Sequence, residues 1–387
     1  MTPAARVAAA IGILDRIVVG QPAEAALIGW ARASRFAGSG DRAAVRDLVF
    51  DTLRRRRSRA ALGGGDGGRA LMLGALREAG TDPAAIFTGD RHAPSPLDAA
   101  EAASGRPPTA AEALDLPDWI AARLSTDLGG DFPAIAAAMR DRAPVWLRVN
   151  IARTDTAAAQ TALAAEGIGT QPEPRCATAL RVVSGERRVQ ASRAFAEGLV
   201  ELQDLSPQIA CEGLEVAAGA TVLDYCAGGG GKALALAARG ARVTAWDAAP
   251  QRLRDLPARA ARAGVQIAVA PAAGPQGQFD LVLTDVPCSG SGTWRRTPDA
   301  KWRLTPEDLR TLEATQAEIL ARAARLVRPG GRLVYMTCSL LSAENEAQIA
   351  RFLDDREDFR LVSTRRLTPL DASDGFFVAE LDSLIPA

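Results

Sequence analysis

Phe279-Asp-Leu-Val-Leu-Thr284 runs into Asp285-Val286-Pro287-Cys288-Ser289-Gly290, and Arg332-Leu-Val-Tyr-Met336 runs into Thr337-Cys338-Ser339. Each is a short apolar run that reads as a buried strand, followed at once by a polar turn carrying a cysteine. A parallel α/β sheet presents its chemistry at the carboxyl ends of its strands, so the pattern predicts both thiols in one crevice. Upstream, Val222-Leu-Asp-Tyr-Cys-Ala-Gly-Gly-Gly-Gly-Lys232 is a third strand-turn unit. Its glycines let a backbone approach a ligand closely, and the following helix offers its N-terminus there.

From about Ser206 onward strand and helix signals alternate, which predicts a doubly wound sheet. Strands are expected at 221–225, 242–246, 266–270, 279–284, 332–337, 360–363 and 376–381, with main helices at 206–216, 230–239, 250–263, 306–328 and 343–354. Before this region, Val145-Trp-Leu-Arg-Val-Asn150, Ala179-Leu-Arg-Val-Val183 and Leu199-Val-Glu-Leu202 read as strands, and Thr156–Glu166 as a helix. Residues 1 to about 140 carry Ala-rich stretches with Leu, Ile and Val at helical spacing: Ala4–Val18, Glu24–Ser34, Arg42–Arg57 and Arg69–Ala79. The expected organisation is therefore a helical domain at 1–140, a small α/β module at 141–203 and a Rossmann-like seven-stranded domain at 204–387.

The chain has 387 residues, an ordinary globular composition and no formal net charge. The charge is uneven: the first 60 residues hold 11 Arg against 5 acids, densest at Arg54-Arg-Arg-Arg57 and Arg59. Such a run suits a polyanion such as RNA, or else the solvated end of a helix. Cysteines 176, 211, 226, 288 and 338 form no Cys-x-x-Cys pair, and His92 is the sole histidine, so no metal site is expected. The apolar stretch Val7–Leu14 is too short for a membrane span, and a reducing cytoplasmic setting is expected. Only two of the 46 basic residues are lysines, Lys232 and Lys301, and both fall inside candidate motifs.

The Gly228–Gly231 loop is not a P-loop, because position 226 is Cys and Lys232 is followed by Ala233. Asp247 follows the next strand, where a carboxylate can hold ribose hydroxyls, so the pair fits an adenosyl cofactor. Two strand-end thiols beside such a loop suit methylation of a pyrimidine ring. Carbon 5 of cytosine is a poor nucleophile until a thiolate adds at carbon 6 and makes carbon 5 enamine-like. Asp285, with Lys232 or Lys301, is the candidate for stabilising charge near N3. Two buried core cysteines are the bland alternative.

These motifs resemble the RNA (cytosine-5)-methyltransferases of the RsmB/NOP/Sun group. The resemblance covers Gln203–Ile209, Asp224–Lys232, Asp285–Arg303, Thr337–Glu346 and Asp374–Val378, and the N-terminal region, above all Ser39–Arg55, resembles the NusB-like domain of the bacterial 16S rRNA members. It implies a class I methyltransferase fold preceded by an all-α NusB-like domain and a small α/β RNA-binding module. It implies S-adenosyl-L-methionine held by Cys226, Ala227, Gly228, Gly229, Gly230, Gly231, Lys232, Asp247 and Asp285. Cys338 would be the nucleophile and Cys288 would assist release of the methylated RNA, with 16S rRNA as the partner and neither membrane, metal nor protein partner implied. A tRNA or other RNA substrate, or a non-catalytic RNA-binding assembly factor, are the alternatives. Two positions depart from the group: Gly228-Gly229 stand where it has Ala-Pro, and Val269-Ala-Pro-Ala-Ala273 lacks the acid that meets the adenine.

Overall fold

The computed structural model describes residues 1–385 and divides into two compact units. One comprises Met1–Arg142 together with Thr293–Thr305; the other comprises Ala143–Gly292 and Pro306 onward.

Among its described residues the first unit contains helices and no strands, the longest being Pro3–Val18, Ala23–Ala33, Ser39–Arg54, Gly68–Glu78 and Asp118–Leu128. Its core gathers the apolar faces of the first helices, including Ile13, Leu14, Val45, Val49, Leu53 and Leu71. The helix expected over Arg42–Arg57 begins earlier, at Ser39, and stops at Arg54; a new one runs over Arg56–Gly63. The break has a local cause. The Asp115 carboxylate accepts from the Ser58 amide at 2.9 Å and from the Ser58 hydroxyl at 2.6 Å, capping the new helix near its start.

The Thr293–Thr305 segment closes the other side of that break. A helix leaves its last carbonyls without partners, and cations or N–H donors there are favourable. Trp302 Nε1 donates to the Leu53 carbonyl at 2.8 Å, Lys301 Nζ to the Arg54 carbonyl at 3.0 Å, and Arg54 Nε to the Arg295 carbonyl at 2.7 Å. The arginine run is likewise used internally. Arg55 pairs with Glu78 and Asp141, Arg57 with Asp118, and Arg59 with Asp51 and Glu78. Arg56 lies over the Trp302 ring at 5.4 Å. Arg55, Arg57 and Arg59 are thus paired with acids, most of them remote in sequence.

The second unit holds two sheets. The smaller is antiparallel, with β1 (Trp146–Val149), β2 (Gly169–Glu173), β3 (Cys176–Ser184) and β4 (Val200–Leu202) in the order β2-β3-β1-β4. One face covers the helix Thr156–Ala165; the other contributes Trp146, Cys176 and Ala179 to the core around Leu205, Ile209 and Leu214 of the following segment. The larger sheet contains β5 (Thr221–Asp224), β6 (Arg242–Ala245), β7 (Ile267–Val269), β8 (Phe279–Asp285), β9 (Val327–Thr337), β10 (Phe359–Leu367) and β11 (Phe376–Ser383). Its order is β10-β11-β9-β8-β5-β6-β7, parallel from β9 to β7, with β11 antiparallel to both neighbours. All seven expected strands are present, and the doubly wound, Rossmann-like expectation holds. No helix of the described residues is long and apolar enough to cross a membrane.

This topology fixes where a ligand can sit. The connections change direction beside β5, and the crevice outside the carboxyl ends of β5, β6, β8 and β9 is the switch point of such a sheet.

Candidate active site

Four strand ends supply the crevice. After β5 the chain turns through Tyr225–Gly230 into the helix Gly231–Ala238, with Gly230 as its N-cap. Gly228 and Gly230 have φ of 51° and 79°, and a Cβ on Gly230 would lie 2.3 Å from Leu256 Cδ1, so the loop depends on glycine there. Asp247, buried after β6, braces this loop. Its carboxylate accepts from the Gly228 amide and from the Ala249 amide, each at 2.9 Å, and pairs with Arg252 at 3.2 Å. The two glycines in place of Ala-Pro make room for arginines. Positions for a Cβ on Gly228 and Gly229 lie 3.2 Å from the Arg252 guanidinium and 2.9 Å from that of Arg259, which donates to the Gly229 carbonyl.

Lys232, on the first turn of that helix, reaches β8: Nζ lies 2.5 Å from Asp285 Oδ2 and 5.4 Å from the centre of the Phe376 ring. Burial alone would lower the ammonium, but the Asp285 charge outweighs burial and holds it above the usual lysine range. Behind this pair lies Asp224, 1% exposed, with neither carboxylate oxygen hydrogen-bonded. Burial pushes its carboxyl up to about 7, against the pull of Lys232. Gln203 also has a buried amide oxygen without a partner, and its Nε2 lies 3.7 Å from where a Cβ on Gly231 would be.

Beyond Asp285, the turns after β8 and β9 bring Cys288 Sγ to 3.3 Å from Cys338 Sγ. The hydrogen bond to Cys338 and burial both push the Cys288 thiol well above the ordinary thiol range, and either sulfur can act as the donor in that contact. One buried carboxylate fixes both turns. Glu344, fully buried, accepts from the Ser289 amide at 2.7 Å, the Ser289 and Ser339 hydroxyls at 2.5 Å each, and Gln316 Nε2 at 3.0 Å. Its own carbonyl accepts from Tyr335 at 2.6 Å. Backbone pairing adds to this: the Gly292 amide donates to the Cys338 carbonyl at 2.9 Å.

The structure thus gathers Cys226–Lys232, Asp247, Asp285, Cys288 and Cys338 along one edge of the sheet. Lys301 is not among them. It belongs to the helical unit, where its ammonium caps Arg54 and burial pulls it down to about 7. Cys226 lines the loop but packs against the core, and burial raises its thiol. Cys176 and Cys211 are buried elsewhere, pushed up to about 12 and about 11 by burial. Sequence reasoning did not single out Glu344, Ser289, Ser339, Gln203 or Arg252. The usable signal for Glu344 was an acid set among the apolar and small residues that follow Thr337-Cys-Ser339. No grouping of side chains able to hold a metal occurs among the described residues.

A glycine loop after the first strand, an acid after the second and a seven-stranded sheet with its last strand antiparallel define a Rossmann-like methyltransferase domain. A family model described as 16S rRNA methyltransferase RsmB/F matches residues 212–382, and one for the ferredoxin-like domain of RsmF/B-like methyltransferases matches 116–189. The chain belongs to the RsmB/F methyltransferase family. Ribosomal RNA small subunit methyltransferase B of Xanthomonas campestris is 39% identical over 264 residues, 65% of this chain and 60% of its own. The Vibrio cholerae protein of that name is 35% identical over 281 residues, 68% and 64% of the two chains. The match spans about three-fifths to two-thirds of the length of these relatives. A methyltransferase homolog protein from Pyrococcus horikoshii is similar at 26% identity and TM-score 0.62 over 70% of this chain and 96% of its own. The crystal structure of PH0851 shares the fold over 99% of both chains, at TM-score 0.80 and 24% identity.

Proposed function

We propose that this protein methylates carbon 5 of cytosine in RNA, with 16S rRNA as the substrate and S-adenosyl-L-methionine as the methyl donor. The 3.3 Å approach of Cys288 and Cys338 at the ends of adjacent parallel strands is the observation that carries this reading. The names of the relatives supply the RNA class, and relatives of this kind support the adenosyl cofactor.

The residues present suit that cofactor. The glycine turn gives close backbone access, the helix N-terminus at Gly231 favours a carboxylate, Asp247 offers acceptors to ribose hydroxyls, and Asp224 and Gln203 retain unpartnered buried oxygens nearby. When bound, S-adenosyl-L-methionine supplies an electrophilic methyl group.

The chain's own groups perform the rest. Cys338 adds as thiolate to carbon 6 of the cytosine, forming the carbon–sulfur bond while the ring's electron pair moves toward N3 and carbon 5. Protonated Cys288 donates a hydrogen bond to the Cys338 sulfur, which favours negative charge on that atom before attack. The contact itself is symmetric; the resemblance to the RsmB/NOP/Sun group is why we assign attack to Cys338. The Asp285–Lys232 ion pair would lie beside the ring, its ammonium offsetting the negative charge that develops toward N3 during addition. After methylation, water or another base takes the carbon-5 proton, the electron pair left behind expels Cys338 as thiolate, and Cys288 assists that departure. The target base must leave its stack to admit attack from below the ring.

Single alanine variants test the assignment. With RNA and cofactor, Cys288→Ala should form a protein–RNA species that survives denaturing electrophoresis, and Cys338→Ala should form none. Trapping by Cys338→Ala instead would reverse the roles, and turnover by both variants would reject covalent catalysis by this pair.

A further inference from the structure

Away from the crevice, the face of the small sheet that covers the helix Leu205–Gly213 encloses a cavity of about 260 Å³, lined in part by Arg148, Thr178, Gln208, Cys211, Glu212 and Arg239. Arg148, on β1, is 5% exposed, and its buried Nε has no hydrogen-bond partner. No residue pairs with its guanidinium among the described residues. A buried charge without a counter-charge is costly, so arginines in such positions are ordinarily paired.

The neighbouring groups do not supply the missing partner. Glu201 stands opposite Arg148 across β1 and β4, but its two oxygens are taken by Arg259 and Arg262. Three arginines thus share one carboxylate. Glu212 accepts from the Ala177 amide at 3.2 Å. Arg239 donates to the carbonyls of Cys211 and Leu214, at 2.5 and 2.9 Å, and still leaves its charge in the cavity wall. Gln208 gives its Nε2 to the Gln203 carbonyl at 2.8 Å and keeps a buried oxygen with no donor. The lining therefore carries two guanidinium charges against the single carboxylate of Glu212, and offers free guanidinium donors and the free oxygen of Gln208.

We propose that this cavity binds a phosphate group, with Arg148 as its principal ligand. The guanidinium matches phosphate oxygens with two parallel N–H donors, and the free oxygen of Gln208 accepts from a protonated phosphate oxygen. The phosphate can be that of a small molecule or a phosphate of bound RNA; both offer anionic oxygens to the guanidinium, and only a monoester or inorganic phosphate also carries a proton for Gln208 to accept. The site is separate from the methyl-transfer crevice and stands independently of the reaction proposed there.

The test uses the full chain and inorganic phosphate, titrated at constant ionic strength against chloride. Saturable binding at one site is expected, with a thermal midpoint that rises with phosphate. At a hundredfold excess over Kd the folding equilibrium should shift by about a hundredfold. Arg148→Met keeps the length of the side chain without its charge and should lose the phosphate-dependent shift, whatever its own midpoint. Arg148→Lys, which retains charge, should keep part of it, and phosphorus NMR line broadening gives the same comparison without melting. Wild-type protein with no saturable phosphate binding, or Arg148→Met with undiminished binding, would overturn the proposal. RNA that displaces the phosphate identifies a phosphodiester as the natural ligand; RNA and phosphate bound together identify a small phosphorylated molecule.

Discussion

Glu344 offers the sharpest test of how the two thiols are held together. Replacing it with Ala strips the acceptor from four donors: the Ser289 amide, two serine hydroxyls and the Gln316 amide. The hydroxyls have other partners within reach, since Ser289 and Ser339 lie 3.3 Å apart and Ser291 lies 3.0 Å from Ser339. The Ser289 and Gln316 amide groups lose this buried acceptor. At about 1–3 kcal/mol for each buried donor left unsatisfied, the loss should be about 2–6 kcal/mol, a large share of a domain's stability. A displacement of the turns by about 1 Å should in addition slow methyl transfer about a hundredfold. Equilibrium urea unfolding measures the first effect, and single-turnover methylation at a temperature where the variant is folded measures the second. Glu344→Gln, which keeps the shape, should fall between the two proteins in both assays. Unchanged stability and rate in Glu344→Ala would show that backbone pairing between the turns suffices and that the buried carboxylate is incidental.

Asp224→Asn should flatten the pH dependence of stability in the cofactor-free protein. A buried carboxyl held near 7 gives stability that is complete below its unfolded value near 4 and is lost as pH rises through 7, by up to about 4 kcal/mol; identical urea midpoints for variant and wild type at pH 5 and pH 8 would contradict this. Asp247→Ala removes the brace on the glycine turn and an acceptor for ribose, and calorimetry should show cofactor affinity weaker by about 1.5–3 kcal/mol. Deleting residues 1–140 should leave 293–305 without its packing partners, so trypsin should cut near Arg295, Arg296 and Arg303 in the truncated protein and spare them in the full chain. Equal cleavage of both would show that the segment needs no helical unit to stay protected.

The larger sheet was legible because its buried parallel strands are continuous apolar runs ended by turn residues, as in Leu281-Val-Leu283 before Asp285. β2 was not, because Gly169-Thr-Gln-Pro-Glu173 is polar and carries Pro172; it lies at a sheet edge, where proline and polar residues are tolerated. The thiols and glycine turn were readable as motifs, since each follows a strand directly. Glu344 was harder: its importance rests on four donors from three separate segments, a convergence no local pattern records. Charge counting over the first 60 residues is incomplete for the same reason. It does not register Glu78, Asp118 and Asp141, which fold back to meet Arg55, Arg57 and Arg59.

The excursion of Thr293–Thr305 also sets an order of events during synthesis. The first unit takes its last helix-capping donors from Lys301 and Trp302, so it cannot be completed when Arg142 leaves the ribosome. It must wait for a further ~160 residues, about 10–30 s at ordinary bacterial elongation rates. Throughout that interval the carbonyls of Leu53 and Arg54 stay open to water or to a chaperone. The unit that begins the chain is therefore finished late, while most of the second unit is already outside the ribosome.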